Sequence, residues 1–146
     1  MFINGGCMKL KLAVLGLFVL FSGVANASPW TGEKADGMYS DMTITNIHTG
    51  VVDFRPYFCI EAVRSVNNTD IKACAVRGYS NWAAGFDEFY NQAMYYYATG
   101  QLVRIYYQPN VWTHEGLREL TRNAIVGFST CSSIDHCFGP DRKNTP

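Results

Sequence analysis

Between Ser80 and Tyr107 the chain changes its apolar period once, and the rest must pack around that switch. Trp82, Phe86, Phe89, Ala93 and Tyr96 or Tyr97 recur at steps of three and four, which lines them along one helical face. Ser80 or Asn81 is suited to cap the first turn, since a short side-chain oxygen accepts from an unpaired backbone N–H. Gly100 stands where the helix must stop, because glycine takes the left-handed turn at no steric cost. Leu102 to Tyr107 then turns to the β-branched and aromatic composition of a strand. No other long helical pattern follows residue 27.

The remainder reads as short strands and turns. Met42 to Ile47 alternates apolar and polar, Thr49-Gly50 breaks it, and Val51 to Phe54 resumes after a turn. Tyr57 to Val63 and Ile71 to Val76 flank the turn cluster Asn67 to Asp70, which predicts a hairpin. Asn67-Asn68-Thr69 also fits the short glycosylation acceptor pattern, though a plain turn explains it. Val111 to Thr113 is a short strand candidate, Gly116 to Thr121 one helical turn, and Asn123 to Thr130 a buried strand. Five to seven short strands with one helix late in the middle predict a mainly β fold. The five-stranded Greek-key barrel called the OB-fold, with one long helix, suits this order.

The beginning of the chain looks removable. Lys9 and Lys11 precede the apolar run Leu12 to Phe21, and Ala25-Asn26-Ala27 follows, the pattern of a secretory signal peptide over residues 1–27. The run is shorter than the roughly 20 residues that span a bilayer. Residues 28–146 would then form one domain with ten basic and twelve acidic residues, which speaks against a nucleic-acid partner. Export agrees with the cysteines. Cys7 leaves with the signal, and Cys59, Cys74, Cys131 and Cys137 remain. Four thiols allow three pairings. The local pairing, Cys59–Cys74 and Cys131–Cys137, needs the least rearrangement of a hairpin-rich chain. A metal site is the weaker reading, because no C-x-x-C occurs and His48, His114 and His136 are scattered.

Catalytic signals are sparse. There is no G-x-S-x-G, no H-E-x-x-H and no glycine-rich phosphate loop. Asp36 with Asp41, and Asp87 with Glu88, read as solvated charges, and neither His48 nor His114 is tied to a nucleophile. A small exported β-domain with nine tyrosines is more readily a binder than an enzyme, and needs no cofactor or metal. A tyrosine offers a ring and a hydroxyl, which suits the mixed faces of a sugar. The runs Tyr95–Tyr97 and Tyr106–Tyr107 are the places to look, with core packing the default for the first.

Several separated blocks share one resemblance: Trp30-Thr31-Gly32, Asp36 to Ser40, Pro56 to Ile60, Gly100-Gln101-x-Val103 to Tyr107, and Cys137 to Lys143. In their order and spacing, and in all four cysteines, they resemble the B subunits of pertussis-like toxins, the family that includes those of subtilase cytotoxin and typhoid toxin. The resemblance implies an OB-fold protomer in a homopentamer, whose central channel takes the tail of a catalytic A subunit. It implies secretion, and recognition of sialic acid on host glycoproteins and glycolipids. It also implies a site. Ser40 matches the serine that holds the sugar carboxylate, and Asp36 and Met38 flank it. Arg64 and Thr69 lie where relatives carry a basic residue and a neighbouring loop. Arg104 matches a strand arginine at the pocket, and Tyr107 the tyrosine that meets the N-acyl group. The other reading of the same fold signal is a periplasmic OB-fold protein that binds or inhibits a protein partner.

Overall fold

The computed structural model describes residues 37–79 and 81–140, the side chains of Asn81 and Trp82 excepted. The expected signal peptide, Asp36 and the Ser80 cap lie outside the described residues. Six strands form one sheet: β1 (Gly37–Val52), β2 (Arg55–Arg64), β3 (Thr69–Val76), β4 (Val103–Gln108), β5 (Ala124–Ser133) and β6 (His136–Cys137). Their order is β3-β2-β1-β4-β5-β6, and a parallel pairing of Cys74 in β3 with Ala124 in β5 joins the ends. The first five strands therefore close into a ring, which leaves no free edge within it. The 14-residue helix α1 (Phe86–Thr99) connects β3 to β4, and the one-turn helix α2 (Glu115–Arg118) precedes β5. A five-stranded barrel with its main helix between the third and fourth strands is an OB-fold.

β1 is one continuous strand, not two. The break expected at Thr49-Gly50 is absent, and both residues stay paired with β2, opposite Phe58 and Tyr57. The turn comes instead at Asp53-Phe54, where both residues have positive φ, as a two-residue hairpin loop requires. β1 remains unbroken because it bends twice. Its register slips between Tyr39 and Met42 against β4, and between Ile44 and Asn46 against β2. Each slip moves the inward-facing set by one residue. Before the first, Tyr39 packs on the core; after it, Met42 and Ile44 do; after the second, Ile47 does.

The core lies between the sheet and α1. Phe86, Ala93 and Tyr96 are buried on the helix face toward Phe58, Ile60, Ile71 and Ile105. Of the two candidates Tyr96 points inward, and its hydroxyl meets Thr130 Oγ1 at 2.9 Å, while Tyr97 is exposed. The helix begins later than expected: Asn81–Gly85 is a 3-10 turn, and Gly85 at the N-cap position makes no side-chain cap. It ends as expected, with Gly100 at φ 68° donating its N–H to the Tyr96 carbonyl. Val111 to Thr113 is not a strand. Val111 and Trp112 each turn a backbone N–H to the Arg122 carbonyl, and the Trp112 ring fills a second cluster with Cys59, Cys74 and Leu117.

Both disulfides join residues that face each other across antiparallel strands. Cys59–Cys74 links β2 to β3 and Cys131–Cys137 links β5 to β6. The Asn67–Asp70 cluster turns as expected, with Asn67 Oδ1 accepting from the Thr69 N–H at 3.2 Å.

Candidate functional site

The site lies at the first slip in β1. Tyr39 pairs with Ile105 and Met42 with Val103, so two residues, Ser40 and Asp41, stand opposite Arg104 alone. Asp41 takes the left-handed conformation, φ 59°, which its short polar side chain tolerates. Ser40, the neighbour of the core-facing Tyr39, points away from the core and onto the face of β4 that carries Arg104. Arg104 Nε then donates to Ser40 Oγ at 2.7 Å, and Arg64 Nε, at the end of β2, donates to the Ser40 carbonyl at 2.8 Å. Ser40 is thus held by a guanidinium on its side chain and another on its backbone. Both charges lie beside a half-buried hydroxyl, an arrangement that favours an anionic ligand.

The other expected site residues fall around this couple at different distances. Met38, two residues before Ser40, packs with Tyr106 and Val126. Thr69 faces Arg64 across the β2–β3 register. Tyr107 stands apart from the couple. It pairs with Gly37 at the start of β1 and packs with the main core, its ring stacked on Tyr39 at 5.4 Å between centroids. Burial first, then charge repulsion from Tyr39 and a hydrogen bond that the Tyr107 hydroxyl donates to Tyr39, raise its pKa above the ordinary tyrosine value. Arg104 itself is buried, 6% exposed, so it stands behind Ser40 rather than at the surface.

Two features escape a reading of the sequence. Asp41, expected as a solvated charge, is buried, and its Oδ1 accepts from the Asp135 N–H at 3.1 Å. The segment after Cys137 lies against Arg104 and Tyr106: the Gly139 carbonyl accepts from Arg104 Nη1 at 2.8 Å and the Pro140 carbonyl from Tyr106 Oη at 2.8 Å. The block Cys137 to Pro140 is visible as a resemblance, but nothing in it signals a contact with Arg104. Asp41, Cys131 and Cys137 come together as a metal site would, yet both sulfurs are spent in the disulfide and offer no thiolate. His48 meets the Tyr57 hydroxyl at 3.0 Å and His114 lies 3.7 Å from Asp53, both at the surface. A separate groove of about 480 Å³, between Thr49–Phe58 and the start of α1, contains none of these site residues.

Fold and site together define a small disulfide-braced OB-fold domain with a polar, arginine-backed bulge on its first strand. The chain belongs to the family of the subtilase cytotoxin B subunit. It is 53% identical over 139 residues to the B subunit of subtilase cytotoxin from Escherichia coli, a match covering 94% of this chain and 89% of that one. Its fold is similar to that of a chain of the AB5 toxin from E. coli, solved with Neu5Gc-2,3Gal-1,3GlcNAc. That TM-score is 0.71, at 52% identity over 75% of this chain and 93% of the other. It is also similar to a variant of the Salmonella typhi PltB homopentamer solved with Neu5Ac-alpha-2-3-Gal-beta-1-4-GlcNAc glycans, with a TM-score of 0.70 and 43% identity over 76% and 97% of the two chains. No family model matches the chain.

Proposed function

We propose that this chain is the receptor-binding B subunit of a secreted bacterial toxin, a non-catalytic lectin for sialic acid–terminated host glycans. Five copies form a ring that carries a catalytic A subunit on its central channel. Residues 1–27 direct export and residues 28–146 form the mature protein. The observation that carries this reading is the Ser40–Arg104 couple in the β1 bulge, in a chain whose relatives were solved with sialylated glycans.

The chemistry follows from the geometry. A hydroxyl has one proton and two lone pairs. Arg104 Nε occupies a lone pair of Ser40 Oγ, so the Ser40 proton is available to an acceptor on the open side. A sialic carboxylate is such an acceptor, and it is drawn by the positive charges of Arg64 and Arg104. Asp36 and Met38 border the sugar on the side that leads into Ser40, and Thr69 borders it beside Arg64. The N-acyl group is assigned to Tyr107 by the family's pattern alone, and a hydroxyl there gives an N-glycolyl oxygen a partner that an N-acetyl group cannot use.

Each such site is shallow. Five on one ring multiply avidity without new contacts, provided the membrane presents several glycans within reach. The test is binding of the purified protein to cells before and after neuraminidase, alongside its mass in solution. A pentamer whose binding is abolished by the enzyme supports this reading. A monomer indifferent to the enzyme supports the protein-partner reading instead.

A further inference from the structure

The Arg104 guanidinium is fixed at two points, by Ser40 Oγ on Nε and by the Gly139 carbonyl on Nη1. A guanidinium is planar, so two bonds from different nitrogens leave it little freedom to turn. Gly139 in turn sits in a short strap, Phe138–Pro140, held along its whole length. The Phe138 N–H donates to the Thr130 carbonyl at 2.9 Å, and the Phe138 carbonyl accepts from Ser129 Oγ at 2.7 Å. The Pro140 carbonyl accepts from Tyr106 Oη. The Cys131–Cys137 disulfide ties the start of the strap to β5, and Asp41 holds the preceding turn through the Asp135 N–H. The fit is close: a Cβ on Gly139 would lie 2.6 Å from both Ser129 Oγ and Tyr106 Oη, so a side chain there must displace the strap or the two hydroxyls that hold it.

We propose that the Phe138–Pro140 strap is a positioning element of the glycan site, which fixes Arg104 and through it aims the Ser40 hydroxyl at an acidic sugar. This rests on the glycan site proposed above. Without the Gly139 carbonyl, Arg104 can swing off Ser40. The hydroxyl is then free to rotate, and its proton is no longer directed at the ligand. The strap touches no sugar itself. Its contribution is preorganisation, the kind a supporting shell gives to a binding group.

The experiment compares the full ring with three variants, using sialyllactose as the probe. Gly139→Ala disturbs the strap or its holding hydroxyls by bulk, and Cys131→Ser with Cys137→Ser releases its anchor without bulk, so the second carries the test if the first does not assemble. Ser40→Ala is the control for the site. Titration calorimetry gives affinity, and proton exchange at the Arg104 Nε–H, followed by nitrogen-15 NMR, reports the guanidinium directly. The expected result for both strap variants is affinity lowered about tenfold, as for loss of one charge-assisted orienting bond, with faster Arg104 Nε–H exchange and an intact ring. Ser40→Ala losing binding while the strap variants keep wild-type affinity and slow exchange would overturn the role of the strap alone. Ser40→Ala binding as wild type would remove the site, and this inference with it.

Discussion

Arg104 Nε lies 2.7 Å from Ser40 Oγ, across the β1–β4 ladder at the point where β1 carries one residue too many. The register of Gly37 to Tyr39 already sets Ser40 opposite Arg104, and directly opposed residues of an antiparallel pair share a face. The bulge costs one unpaired position and a left-handed Asp41, and in return it sets Met42 on the core face.

Replacement of Arg104 by lysine tests that relationship. An ammonium reaches Ser40 Oγ or the Gly139 carbonyl but lacks the planar fork that serves both. Arg104→Lys is expected to keep the charge and the ring and to weaken sialyllactose binding about tenfold in calorimetry. Wild-type affinity would show that charge alone is enough.

Tyr107 gives a prediction about selectivity. Tyr107→Phe removes the hydroxyl and keeps the ring stacked on Tyr39. On an array carrying matched N-glycolyl and N-acetyl sialosides, the N-glycolyl signal is expected to fall more. Equal loss on both would mean that the phenol serves packing.

The Tyr39–Tyr107 pair also predicts a pH effect. Folding raises the Tyr107 pKa above its ordinary 10.0, so its contribution to stability is fully present below pH 10.0 and is lost as pH rises through the folded value. Tyr39→Phe removes both the repulsion and the hydrogen bond, leaving burial alone. Spectrophotometric titration is expected to show a late-ionising component in the wild type that is lost in Tyr107→Phe and moves toward the ordinary value in Tyr39→Phe. An unchanged titration would exclude the coupling.

The barrel brace is separable from the site. Cys59→Ser with Cys74→Ser opens a link between β2 and β3 that closes a loop of 15 residues in sequence. The expected cost is about 2–4 kcal/mol, read as a lower midpoint in guanidinium, with sialoside binding retained below the transition. Loss of binding in the folded ring would mean that the two ends of the barrel are coupled.

The parts of this structure that follow from short-range chemistry are legible in the sequence. Gly100 ends α1 because only a left-handed residue fits there, and Phe86, Ala93 and Tyr96 lie on one face because the helix repeats as it does. The cysteines pair locally because hairpins bring them opposite each other. What the sequence hides is set by partners distant in the chain. Gly50 reads as a breaker, yet β2 holds it in register, and the reversal falls at Asp53-Phe54, which lacks the glycine that usually marks such a loop. Asp41 reads as a surface acid because its partner, Asp135, is 94 residues away. Ser40 is an ordinary serine in an alternating stretch until Arg104, 64 residues on, gives it a role. Resemblance, not periodicity, singles it out.

The most direct measurement is a crystal structure of the ring soaked with sialyllactose. The expected result is a sugar carboxylate oxygen about 2.5–3.0 Å from Ser40 Oγ, with Arg104 still donating to the same hydroxyl oxygen from behind. A sialic acid ordered elsewhere, such as in the groove between Tyr57 and Tyr90, with the Ser40 hydroxyl unliganded, would contradict the account.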